Sequence, residues 1–211
     1  MRKHVVITGT GRSGTSFLVE LLTHLGLDTG YSPDDVSNKK NKIARAGLET
    51  DIRHEDAPYI VKNPHFCDYV EEVIARDDIV IEHVFVPFRD LHAAAESRRF
   101  VHGAALAELP WHKRLRSLWK KKGFAGGLWH TSDKGDQEEI LLNQVYKLFL
   151  ALSNTGIPVT LVKYPRIVTD SAYLYEKLKP VLDSLPYETF KQSFSAVARP
   201  ELVHKFNAKD K

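Results

Sequence analysis

The chain has 211 residues, of which 43% are hydrophobic, enough for one α/β domain with a sizeable core and too few for two. A formal net charge of +3 suits an anionic ligand, and only residues 112–122 approach the basic, aromatic-interleaved stripe that nucleic acid demands. A lone cysteine, Cys67, excludes an intrachain disulfide and reads as a small packed apolar residue; with no apolar run of membrane-span length and no room for a signal peptide before residue 4, the expectation is a cytoplasmic protein.

In chain order, Val5, Val6 and Ile7 suit a buried strand, and Phe17, Leu18, Leu21, Leu22 and Leu25 recur at helical spacing. Between them Gly9, Gly11 and Gly14 let the backbone turn tightly, so that amide N–H groups and the positive end of the helix converge on one anion. Ser13, Thr15 and Ser16 add hydroxyl donors, and Arg12 adds a permanent charge on a planar fork. Against the nucleotide-kinase pattern G-x-x-x-x-G-K-[ST], Gly9, Gly14 and Ser16 fit, but Thr15 stands at the lysine. Asp90 is the sole candidate near a strand end for a magnesium carboxylate, so a kinase is the weaker reading.

Residues 25–58 are dense in turn formers and charge, with a short helix expected around Lys39–Leu48. Tyr59–Lys62 reads as a brief strand, and Phe66, Val70, Val73 and Ile74 as one face of a helix ending near Arg76. Ile79–Pro87 is the longest strand candidate, followed by helical spacing from Arg89 to Val101. From Gly103 to Asp136 the pattern dissolves into tryptophan, histidine, lysine and glycine, which suggests an insertion over the site. A helix over Glu138–Leu152 follows, with Leu141, Val145, Leu148 and Leu152 as its core stripe. Pro158–Lys163 is a fourth strand, Ala172–Asp183 a helix, and one more short helix is expected after Tyr187. Strands alternating with helices imply a single α/β domain over 1–211, with a mostly parallel central sheet covered on both faces and ligands at the carboxyl ends of its strands.

Four stretches, in order, resemble the PAPS-dependent sulfotransferases. Gly11–Ser16, GRSGTS, resembles the family's 5′-phosphosulfate loop, P-[KR]-S-G-T-[TS], with glycine at the proline place. Arg89, just past a strand, and Ser97, eight residues on, resemble its clamp on the 3′-phosphate. Lys62-Asn63-Pro64 resembles its K-x-P segment, and Tyr164 with Pro165 the tyrosine of its Y-E-D-L segment. The resemblance implies a P-loop nucleotide-kinase-like fold and transfer of a sulfuryl group from 3′-phosphoadenosine 5′-phosphosulfate to a hydroxyl or amine, with adenosine 3′,5′-bisphosphate as product and no metal. It also implies roles. Arg12 holds the 5′-phosphosulfate; Gly11, Ser13, Gly14, Thr15 and Ser16 bind the leaving phosphate; Arg89 and Ser97 fix the far end of the nucleotide. Lys62 neutralises the sulfuryl group or meets the bridging oxygen, and Tyr164 contacts adenine or only packs.

The acceptor's proton needs a base, for which His65, Glu49, Asp34 and Asp35 are the candidates, with His65 and Glu49 favoured. His54, His83, His92, His102 and His130 lack metal-ligand spacing such as H-x-x-x-H with a third ligand and read as surface or structural. Within 103–136, Trp111, Trp119, Trp129 and Lys120–Lys122 suit a carbohydrate, lipid or other small-molecule acceptor, a covering flap, or an oligomer contact. A catalytically silent nucleotide-binding protein is the remaining alternative.

Overall fold

The computed structural model describes residues 1–39, 47–110, 126–131, 133, 135–203 and 206. Among them, four parallel strands form one sheet: β1 (Arg2–Ile7), β2 (Ile60–Lys62), β3 (Ile79–Phe88) and β4 (Val159–Lys163), in the order β2-β1-β3-β4. Val6 lies beside Val61 on one side and Val84 on the other, while Val86 lies beside Leu161. The helices among the described residues are α1 (Thr15–His24), α2 (Pro33–Lys39), α3 (Val70–Ile74), α4 (Leu91–Ala107), α5 (Gln137–Ser153), α6 (Ser171–Leu182) and α7 (Tyr187–Val197).

Both faces of the sheet are dry because successive strand residues point to opposite sides. Val5, Ile7, Ile60, Phe85 and Val162 pack with Leu18, Leu21 and Leu22 of α1 and with Leu174, Leu178, Phe190 and Phe194 of α6 and α7. Val6, Val61, Val84 and Val86 pack on the other face with Phe66, Val70, Val73, Leu148 and Leu152. Cys67 joins that second core, where burial pushes its thiol pKa up to about 12 and makes it inert.

Several elements depart from the pattern read in the sequence. The single helix expected to end near Arg76 is two pieces: a 3₁₀ turn over Pro64–Asp68, whose first N–H groups include one capped by the Asn63 side chain (His65 N to Asn63 Oδ1, 2.9 Å), then α3 after a non-helical break at Tyr69 (φ −140°, ψ 16°). Proline at the first position and an asparagine before it start a turn that the apolar spacing alone does not reveal. Helix α4 runs on to Ala107, so residues 103–107 are helical; the run Ala104-Ala105-Leu106-Ala107 outweighs Gly103. On α5 the buried residues are Gln137, Leu141, Gln144, Leu148 and Leu152, and Val145 is only half-buried. The helix expected around Lys39–Leu48 falls largely on residues outside those described, as do Trp111, Trp119 and Lys120–Lys122. Among the described residues no helix is long and apolar enough to cross a membrane.

Candidate functional site

The strand order creates the site. From β1 the chain goes to β2 on one side, and from β3 it goes through α4 and α5 to β4 on the other, so connections diverge between β1 and β3. A parallel sheet opens a crevice at such a point, beyond the carboxyl ends of the two strands. A cavity of about 610 Å³ lies there, and its lining includes Gly11, Arg12, Gly14, Thr15 and Ser16 from the turn after β1 and Arg89 and Ser97 from the segment after β3.

The turn is built for close approach. Gly9, Gly11 and Gly14 have φ of 139°, 64° and 91°, and Arg12 itself sits at 56°. A side chain at Gly14 would put its Cβ 2.7 Å from Ile167 Cδ1 and 3.1 Å from Tyr164 Cδ2, so glycine is required for contact as well as for conformation. Gly14 also precedes α1 without a side-chain cap, which leaves the first-turn amides of that helix for another acceptor.

Three guanidinium groups converge beside the turn. Arg12 Nε donates to Ser97 Oγ (3.1 Å), and Arg89 Nη1 donates to the Arg12 carbonyl (3.1 Å), its guanidinium carbon 5.0 Å from the centre of the Tyr164 ring. Arg12 and Ser97, expected at opposite ends of one nucleotide, therefore touch, and Arg12 and Arg89 border one cavity. The third group, Arg98, carries no signal in the sequence beyond its place after Ser97. It is 5% exposed, donates to the carbonyls of Gly127 (2.7 Å) and Thr10 (2.5 Å), and lies 4.4 Å from the centre of the Trp129 ring. Its Nε meets no acceptor among the described residues. Burial first, and then the charge of Arg89, lowers the Arg12 pKa to about 10; burial and then Arg12 lower that of Arg98 to about 9. Both groups stay protonated near neutrality, so the shifts register positive charge held in a poorly solvated place.

Across the cavity, Lys62 is 2% exposed, and its Nζ reaches Glu49 Oε1 (2.5 Å), the Gly47 carbonyl (2.6 Å) and Ser16 Oγ (3.3 Å). Burial outweighs Glu49 and lowers the lysine pKa. Lys62, Glu49 and the helix-start hydroxyl are thus one hydrogen-bonded group on the cavity wall, and Glu49 remains partly exposed to solvent, with 39% of its side chain accessible. His65 also borders the cavity but at an exposed position, with Nδ1 3.5 Å from Asp68 Oδ2 and its ring 4.5 Å from that of Trp129; burial lowers its pKa.

Other expected residues lie elsewhere. Asp34 and Asp35 are in the first turn of α2 and are absent from the cavity lining, and the Asp35 carboxylate accepts from Ser32 Oγ (2.9 Å). Ser13 is fully buried beneath the turn, outside the lining. Asp90 caps α4, its Oδ1 accepting from Ala93 N (2.8 Å). Trp129 is 4% exposed and lies against Arg98, so it presents little open face to a sugar ring. Sequence reasoning missed Arg98, Glu20 and Arg199 of the lining; Arg199 comes from the segment after α7, with no motif to announce it. Counting these, the described cavity carries Arg12, Lys62, Arg89, Arg98 and Arg199 against Glu20 and Glu49, an excess of positive charge suited to a polyanion. No family model matches the chain, and no curated protein and no solved structure matches it significantly.

Proposed function

We propose that the protein is a sulfotransferase with a P-loop nucleotide-kinase-like fold, using 3′-phosphoadenosine 5′-phosphosulfate as donor and a hydroxyl or amine of a small-molecule, carbohydrate or lipid acceptor. The observation that carries this reading is the meeting of Arg12 and the Gly14–Ser16 helix start with Arg89 and Ser97 around one cavity. The donor set fits a doubly phosphorylated nucleotide: forked guanidinium donors and an uncapped helix start, on a turn where a Cβ would crowd Arg98 at Gly11 and Ile167 with Tyr164 at Gly14.

When bound, the donor supplies a sulfuryl group already activated by a phosphate leaving group. Arg12 and the first amides of α1 hold the phosphosulfate end and stabilise the charge that grows there. Arg89 and Ser97 hold the 3′-phosphate, and the Tyr164 ring borders the nucleotide. Lys62, kept in place by Glu49 and the Gly47 carbonyl, brings a poorly solvated cation to the sulfuryl group through the Ser16 side of the cavity. Glu49 is the proton acceptor for the attacking hydroxyl or amine, since its carboxylate stands beside Lys62 whereas His65 is turned to Asp68.

Thermal unfolding with added nucleotide tests the reading. Adenosine 3′,5′-bisphosphate should raise the melting temperature by mass action, and ATP with magnesium should do so less. Stabilisation by ATP with magnesium, beside indifference to the bisphosphate, would overturn it in favour of a kinase.

A further inference from the structure

At the rim of the cavity two imidazoles converge on one carboxylate. His65 Nδ1 lies 3.5 Å and His130 Nε2 lies 3.2 Å from Asp68 Oδ2, and the three ligand atoms all fall within 4.8 Å of one another. A tetrahedral ion with bonds of 2.0–2.1 Å keeps its ligand atoms about 3.3 Å apart, which matches both measured separations. We propose that His65, Asp68 and His130 form a binding site for a divalent transition ion of the zinc class, with a fourth position left for water or an oxygen ligand.

The local structure explains how such a set arises without a helical H-x-x-x-H motif. His65 and Asp68 lie three residues apart in the 3₁₀ turn Pro64–Asp68, and a turn of three residues aligns side chains at that spacing on one edge. The Asn63 cap holds the start of this turn through His65 N. His130 arrives from the segment 126–131, which is tied down independently. The buried Gln137 side chain accepts from Trp129 N (2.8 Å) and donates to the Trp129 carbonyl (3.2 Å), while Arg98 holds the Gly127 carbonyl. His130 has a φ of 51°, a left-handed conformation uncommon for a side chain of this size, and the ring of His65 packs on Trp129. Two anchored segments thus deliver nitrogen and oxygen donors to one point, the preorganisation that a metal site needs.

A second cluster shows the contrast. His92, Glu96 and Glu138 also offer three ligand atoms within 4.8 Å, but Arg99 Nη1 already lies 2.8 Å from both Glu96 Oε1 and Glu138 Oε1. That place holds its cation already. At His65, Asp68 and His130 the chemistry is two neutral-capable imidazoles and one carboxylate, the donor set of a zinc-class ion rather than of calcium or magnesium, which prefer oxygen.

The site stands apart from the nucleotide reading and is tested apart from it. Untagged, chelator-dialysed full-length protein should take up one equivalent of zinc in a calorimetric titration, with magnesium giving no heat under the same conditions. His130→Gly and Asp68→Asn should each weaken zinc binding by more than the roughly 10–100-fold that loss of an outer-sphere partner costs, while His92→Ala leaves it unchanged. Both ligand variants sit on exposed positions, and an unaltered melting temperature without metal shows that they fold. Absence of a saturable zinc equivalent, or zinc binding that survives both ligand variants, overturns the proposal; either result leaves stabilisation by adenosine 3′,5′-bisphosphate unaffected.

Discussion

Two sets of arginines in this molecule are held in opposite ways. Away from the cavity, Arg53 meets Asp51 (2.7 Å) and Glu72 (3.0 Å), Arg76 meets Asp78 (2.8 Å), and Arg99 meets Glu96 and Glu138, and in each case the carboxylate raises the guanidinium pKa. At the carboxyl end of the sheet, Arg12, Arg89 and Arg98 donate to a hydroxyl and to backbone carbonyls, and burial lowers all three. A carboxylate cancels a cation where it stands. A carbonyl fixes its direction and leaves its charge, so Arg98, held by two backbone carbonyls in a poorly solvated place, costs stability in the free protein and favours an incoming anion.

The turn that brings this second set together is the first place to break the comparison. Gly14→Ala forces a side chain into a φ of 91° and against Ile167 and Tyr164, which should cost about 2–4 kcal/mol in urea unfolding. The same change should remove the stabilisation by adenosine 3′,5′-bisphosphate; a variant as stable as its parent would mean that the turn does not hold the cations in place. Arg12→Met acts more selectively. Losing a charge-assisted contact should weaken bisphosphate binding by about 1.5–3 kcal/mol, while the melting temperature of the free protein changes little, because methionine fills similar space and relief of the repulsion from Arg89 offsets the lost bond to Ser97 Oγ. Lower stability with unchanged affinity would place Arg12 with the structural arginines.

Much of the frame was legible because it is periodic. The β-branched runs at Val5–Ile7 and Ile79–Pro87 specify strands, and the stripe Leu141, Leu148 and Leu152 specifies α5. Gly14 was legible because a left-handed turn before a helix restricts the residue types that fit, and Arg12 because a permanent forked charge stands inside a loop that resembles a phosphosulfate loop. Arg98 was not, since a buried arginine reads in sequence like any surface cation on α4, and its partners at Thr10 and Gly127 lie 88 and 29 residues away. The pairing of Glu49 with Lys62 was equally hidden: each was a candidate by itself, and only the return of the chain past Gly47 brings the carboxylate to the strand end. Asp34 and Asp35 show the converse, where proximity in sequence to the glycine turn did not place them near it.

The structural arginines predict the smallest effect and a distinct pH signature. Glu138 accepts from Arg99 and from His92, and Arg99 in particular lowers its pKa from the usual 4.5 to about 2. Between those two values the unfolded chain binds the proton and the folded one does not, so stability rises with pH through this window. The contribution is complete above pH 4.5 and is lost as pH falls through about 2. Glu138→Gln removes it, which for a partly exposed pair should cost about 1 kcal/mol at pH 7, and the difference from the parent should shrink as pH falls through this range and vanish below about pH 2. Bisphosphate binding should not change, because Glu138 lies outside the cavity. A constant difference across the acid limb would show that the glutamine substitution acts through packing rather than charge, and would remove Arg99 from the set of carboxylate-neutralised cations.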